Sequence, residues 1–93
     1  MINFAVIGIA HSHIYGQVKC LLDAGARFVT WFSYSHEAER DAKFAESFPQ
    51  AARARSEAEI LERSDVHLIV TATVPADRAG LGIRAMRHGK DVM

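Results

Sequence analysis

The stretch NFAVIGIAHSHIYGQ, Asn3 to Gln17, decides the fold. Residues 2–7 are a short apolar run closed by Gly8, the pattern of a strand buried on both faces of a parallel sheet. Ile14, Val18, Leu21 and Leu22 then recur at helical spacing as far as Gly25, a natural C-terminal stop. A buried strand that turns through a glycine into a helix matches the opening of a dinucleotide-binding βαβ unit, whose loop reads G-x-G-x-x-G. Here the loop reads G-I-A-H-S-H. Gly8 gives the tight turn, Ala10 stands at the second glycine position and is still small, and His13 stands at the third. The start of the helix offers N–H donors to a phosphate. Two readings stand at this point: a nucleotide loop with two glycines replaced, or a glycine that only turns the chain.

The rest of the chain alternates in the same way. Arg27–Phe32 is rich in β-branched and aromatic residues and reads as a second strand. Glu37–Ser47 follows as a helix with Ala38, Ala42 and Ala45 on one side, halted before Pro49. Residues 51–53 offer a short third strand, and Ser56-Glu57-Ala58-Glu59 is a capping-box start for a helix carrying Ile60 and Leu61. His67–Ala72 is a fourth strand. Ala79, Ile83 and Met86 mark a helix from about Ala76 to His88, closed by Gly89, and Asp91-Val92-Met93 begins a fifth strand. Strands alternating with helices imply right-handed crossovers. The expected fold is α/β: a Rossmann-like, doubly wound parallel sheet with helices on both faces. Residues 1–93 are read as one dinucleotide-binding domain, cut at about the fifth strand of the usual six. The expectation is a fragment without its C-terminal substrate domain, or a domain that completes its sheet in a homo-oligomer through the open edge.

Composition narrows the function classes. Eleven basic residues balance eleven acidic ones in a chain that is 49% hydrophobic, so no global field draws it to nucleic acid or a membrane surface. One cysteine, Cys20, excludes an internal disulfide and a cysteine zinc site and fits a reducing cytoplasm; it is read as a small buried hydrophobe on the first helix. No apolar run has membrane-spanning length, and the first residues lack the basic region of a signal peptide.

In a Rossmann domain the ligand lies beyond the carboxyl ends of the strands. Besides residues 8–13 (Gly8, Ile9, Ala10, His11, Ser12 and His13), two further stretches reach that edge. An acidic residue ending the second strand would hold the ribose of NAD. This chain has Trp31-Phe-Ser-Tyr-Ser-His36, with no acid until Glu37. Ser33, Ser35 and His36, with Arg40, are candidates for a 2′-phosphate, which favours NADP over NAD; ordinary turn chemistry is the plainer alternative. Thr71, Ala72 and Thr73 end the fourth strand on the same edge, with Asp77 in the next helix's first turn, where a carboxylate suits the dipole.

The residues are also familiar as a set. V-I-G after the first strand, E-A-E-R-D-A-K-F-A-E-S-F in the second helix, S-D-V-H-L-I-V-T-A-T into the fourth strand and A-M-R-H-G-K-D-V-M at the end resemble the N-terminal domain of the glucose–fructose oxidoreductase, inositol dehydrogenase and rhizopine-catabolism family (Gfo/Idh/MocA), across essentially the whole chain. The resemblance implies NAD(P) as cofactor and hydride transfer to or from a sugar-like or polyol substrate. It aligns Gly8, Ala10 and His13 with the family's three glycines, and Ala72-Thr73 with its ribose-side pair. The family's catalytic Lys-Pro motif would follow Met93, so no catalytic residue is assigned here and the chain by itself is expected to be inactive. Val74 departs from the family, which commonly has proline there.

His11 and His13 raise a metal reading. Side chains two apart on a helix diverge, and His36, His67 and His88 are scattered, so no third ligand is evident and no metal is expected. At a helix N-terminus, neutral imidazoles can donate to phosphate or substrate. The alternative is structural: His13 packed on the first strand, His11 in solvent. Against the oxidoreductase reading stands a non-catalytic Rossmann-like module that binds a nucleotide or a partner.

Overall fold

A computed structural model describes residues 2–93, without the side chain of Pro75. Five strands, β1 (Asn3–Ile7), β2 (Arg27–Phe32), β3 (Ala52–Arg53), β4 (Leu68–Val70) and β5 (Asp91–Val92), form one sheet in the order β3-β2-β1-β4-β5. Every pairing is parallel, with Val6 against Trp31 on one side and against Val70 on the other. The helices are α1 (His13–Asp23), α2 (Asp41–Ser47), α3 (Glu57–Leu61) and α4 (Pro75–Arg87). This is the Rossmann-like α/β architecture. Among the described residues no helix is long and apolar enough to cross a membrane.

The central strand shows why helices must cover both faces. Alternate side chains of a strand point to opposite sides. Phe4 and Val6 join Ile14 and Val18 of α1 and Phe44 of α2, whereas Ala5 and Ile7 join Ile60 and Leu61 of α3 and Leu81 and Ala85 of α4. The first face is aromatic. Phe4 stacks on Phe28 at 5.0 Å, and Trp31 meets Phe44 edge-on at 4.9 Å. Such a pair adds about 1 kcal/mol beyond the area it buries.

Three expectations about faces fail, each from helical phase. Cys20 is exposed: it lies two residues, about 200°, from the buried Val18. Ala38, Ala42 and Ala45 are exposed too, and Phe44 faces the core. The chain from Ser35 to Arg40 is a 3-10 helix that precedes α2, so a stripe read at one helical period loses its phase. On α4 the inward pair is Leu81 and Ala85, while Ile83 and Met86 lie outside at 49% and 63% exposure. The capping-box reading holds in part. The Ser56 hydroxyl accepts the Glu59 amide at 3.1 Å, but the Glu59 carboxylate turns to the Arg55 amide.

Candidate functional site

Parallel strands with the same direction bring the turns after β1, β2 and β4 to one edge. Gly8 sits at their junction. Its amide donates to the Phe32 carbonyl at 2.9 Å and its carbonyl accepts from the Ala72 amide at 3.1 Å, so the turn after β1 is sewn to both neighbours. Gly8 has φ +91°, and a Cβ there would lie 2.6 Å from the Thr73 Cβ. No other residue fits that turn. The His11 amide closes onto the Ala72 carbonyl at 3.0 Å. The amides of Ala10, Ser12 and His13 donate to no other described residue. They stand at the start of the 11-residue helix α1, whose Ser12 cap makes no side-chain bond and whose first turn carries no acid. Unpartnered amides at the positive end of a helix are anion receptors.

Glu37 is the residue that sequence reading placed too far along. The 3-10 turn folds it back into the strand ends, where it is only 2% exposed. One carboxylate oxygen accepts the Tyr34 amide at 2.9 Å and the Ile9 amide at 3.2 Å, and the other lies 3.4 Å from the Thr73 hydroxyl. A single buried carboxylate thereby ties together the turns after β1, β2 and β4. Its signal was the first acid after β2, and the tighter 3-10 turn is what brings it home.

On either side of this tie lies a cleft. The first, about 280 Å³, is lined by His11, His13, Gln17, Thr71, Ala72 and Arg78. The His11 and His13 rings stack 5.4 Å apart, and Arg78 donates to the Thr73 carbonyl at 3.1 Å. The second, about 390 Å³, lies between Tyr34, Ser35 and His36 and the first turns of α4, with Asp77 and Gly80. The Tyr34 and His36 rings are parallel, 5.9 Å apart.

Most of the residues expected at the site do converge on this edge, but not all present themselves to a ligand. Ser33 is 1% exposed and its hydroxyl and carbonyl hold Arg53, which removes it as a 2′-phosphate contact. Ile9 is a core side chain that contributes only its amide, already given to Glu37. The Thr71 hydroxyl accepts the Thr73 amide and the Thr73 hydroxyl faces Glu37, so both hydroxyls are engaged within the protein, although Thr71 also lines the first cleft. Ser35 and His36 do line the second cleft, and His11 and His13 the first. Two statements about the histidines are corrected. His13 is exposed and does not pack on β1, and the two rings lie side by side, because His11 precedes the first helical turn. His67 and His88 lie at the opposite edge, where the His67 ring accepts the Asn3 amide. Among the described residues no group of three or more His, Cys, Asp or Glu could hold a metal ion. Sequence reading missed Tyr34, Asp77 and Arg78 as cleft walls.

The wall of the second cleft is braced by charge. Arg84 forks onto Glu57 at 2.7 and 2.9 Å, and the Tyr34 hydroxyl donates to the same carboxylate at 2.8 Å. The Arg84 bonds, with help from Tyr34, hold the Glu57 carboxyl below its ordinary range, and burial raises the Tyr34 phenol, which stays a donor. On the far edge the Arg63 guanidinium holds Asp65 at about 2. Both carboxyls are depressed in the fold. Their stabilisation is therefore complete above the ordinary carboxylate range and is lost as pH falls through the lowered values. The melting temperature should fall as pH drops below the ordinary carboxylate range towards about 2, and Glu57→Gln should make that fall shallower. Parallel, unchanged slopes in thermal melts of the two proteins would refute the assignment to Glu57.

No protein-family model matches the chain, and no curated protein does. Solved structures do match. The chain is 40% identical to a protein of Erwinia carotovora atroseptica described provisionally as an oxidoreductase, with a TM-score of 0.91 over 99% of this chain and 27% of that one. It is 21% identical to biliverdin reductase of Synechocystis sp. PCC 6803, solved with biliverdin and NADP+, at a TM-score of 0.78 over 98% of this chain and 28% of that one. It is 19% identical to a levoglucosan dehydrogenase solved with NADH and L-sorbose, at a TM-score of 0.66 over 99% and 27% of the two chains. The two more distant matches show a shared fold. The chain spans about a quarter of the length of each of these structures. What it shares with them is a Rossmann-like unit found in oxidoreductases.

Proposed function

We propose that this chain is the cofactor-binding unit of a longer NAD(P)-dependent oxidoreductase of the Gfo/Idh/MocA kind, acting on a sugar-like or polyol substrate. The observation that carries the reading is the turn after β1. Gly8 is held at φ +91° under Thr73, and the amides of Ala10, Ser12 and His13 are left open at the head of α1. Those donors suit a pyrophosphate, with His11, His13 and Arg78 as flanking donors. The second cleft, walled by the parallel Tyr34 and His36 rings, suits the adenosine. The nicotinamide supplies the hydride chemistry when bound, and these residues bind and orient it. The sugar or polyol substrate rests on the family resemblance.

A second reading, a non-catalytic nucleotide or assembly module, has one observation in its favour: the Ile9 amide of the loop is already taken by a carboxylate. Calorimetric titration of the purified chain with NADH and with NADPH separates the two. Saturable binding of at least one dinucleotide is expected, with no turnover of any polyol. Failure of both to bind at millimolar concentration would sink the oxidoreductase reading, and dehydrogenase activity of the isolated chain would overturn its dependence on a second domain.

A further inference from the structure

We infer that Glu37, seconded by Asp77, selects the dinucleotide that lacks a 2′-phosphate, NAD(H) over NADP(H). The inference rests on the cofactor reading above and runs against the preference expected from Ser33, Ser35 and His36.

Three observations carry it. First, the Glu37 side chain is 1% exposed, and the partners of its carboxylate are neutral: two backbone amides and a hydroxyl. The one ionisable group beside it is the His36 ring, 3.9 Å away. No fixed cation cancels the charge, and little water screens it, so its field extends into the neighbouring cleft. Second, a carboxylate stands across that cleft as well. The Asp77 carboxylate lies 4.0 Å from the same His36 nitrogen, so the imidazole that sequence reading offered to a phosphate has acids on two sides. Third, the guanidinium groups nearby are engaged. Arg53 grips the Ser33 carbonyl and hydroxyl and meets Asp41 at 3.4 Å. Arg84 is forked onto Glu57, and Arg78 lines the other cleft, bonded to the Thr73 carbonyl. Arg40, at the far end of the 3-10 helix, lines neither cleft. A 2′-phosphate would bring more negative charge to an edge with two carboxylates and no unpaired guanidinium lining its cleft. Ribose hydroxyls meet no such opposition. Glu37 acts here through its charge and through the turns it holds, without touching the ribose.

The test is calorimetry on the purified chain with NADH and NADPH in one buffer. NADH should bind at least about tenfold more tightly, equivalent to about 1.4 kcal/mol. Glu37→Gln keeps an acceptor oxygen for the Ile9 and Tyr34 amides and removes the charge. It should bring the two affinities close together, chiefly by tightening NADPH. Asp77→Asn is a half-exposed change that leaves the three-turn tie intact, so it answers the question even if Glu37→Gln fails to fold. It should narrow the ratio by about threefold, as expected for a screened charge. Equal or tighter binding of NADPH by the unaltered chain would overturn the inference and leave the cofactor reading standing. So would a ratio that moves in neither variant. Loss of binding of both dinucleotides to the unaltered chain would remove the cofactor reading, and the inference with it.

Discussion

Gly8→Ala should destabilise the chain by roughly 2–5 kcal/mol, which is a large share of the stability of a domain this small. Two effects add. An L-residue at φ +91° is strained by the backbone alone, and the new Cβ would come within 2.6 Å of the Thr73 Cβ and 3.1 Å of the Thr71 hydroxyl. Neither neighbour can yield easily, because Thr73 is fully buried and its hydroxyl and amide are held by Glu37 and Thr71. The strain can relax only by lifting the turn after β1 away from β4, which moves the Ala10, Ser12 and His13 amides. Nucleotide affinity should therefore fall together with the melting temperature. Gly16→Ala is the matched control. Gly16 lies within α1 with nothing within 4 Å of a Cβ, so the change should stabilise the helix by up to about 1 kcal/mol. Denaturant unfolding of the three proteins measures both. A Gly8→Ala protein as stable as its parent would show that the turn is not as tightly packed as described.

The contrast between those glycines marks what the sequence made legible. Gly8 could be read because a turn between a buried strand and a helix demands a positive φ, and that demand is local. The parallel α/β sheet and its two-faced core were legible for a similar reason: continuous apolar strands must be covered on both sides. Glu37 could not be placed, since its position depends on a 3-10 turn whose phase shift of one residue decides between core and solvent. The same shift moved Ala38, Ala42 and Ala45 outward. Ser33 shows the complementary limit. Its type and position suit a phosphate, yet Arg53, 20 residues on, takes its hydroxyl. Strand pairing between β2 and β3 brings Arg53 there, and no local pattern announces it.

Lys90→Met should cost roughly 2–5 kcal/mol, and the reason bears on the family resemblance itself. The H-G-K-D stretch was one of its most specific marks, and a lysine near a nucleotide site invites a phosphate-binding role. Lys90 stands elsewhere, at the start of β5 and on the edge of the sheet opposite the clefts. It is 6% exposed, and its ammonium donates to the carbonyls of Arg63 and Val66. Those carbonyls belong to the connection between α3 and β4, so one side chain fastens the entry of β4 to the entry of β5. Burial lowers the pKa of the amine, so the unfolded chain binds more protons between the lowered and the ordinary value. Its net stability should thus rise slightly with pH across that interval. Methionine fills a similar space but leaves both carbonyls without a donor, and each buried orphan costs about 1–3 kcal/mol. At about 4–8 °C per kcal/mol for a chain of this size, the melting temperature should drop by roughly 10 °C or more. Dinucleotide affinity, measured where the variant is still folded, should not change, because the clefts lie at the other end of the strands. A Lys90→Met protein that melts normally but loses the nucleotide would reverse the assignment and make this lysine part of the site.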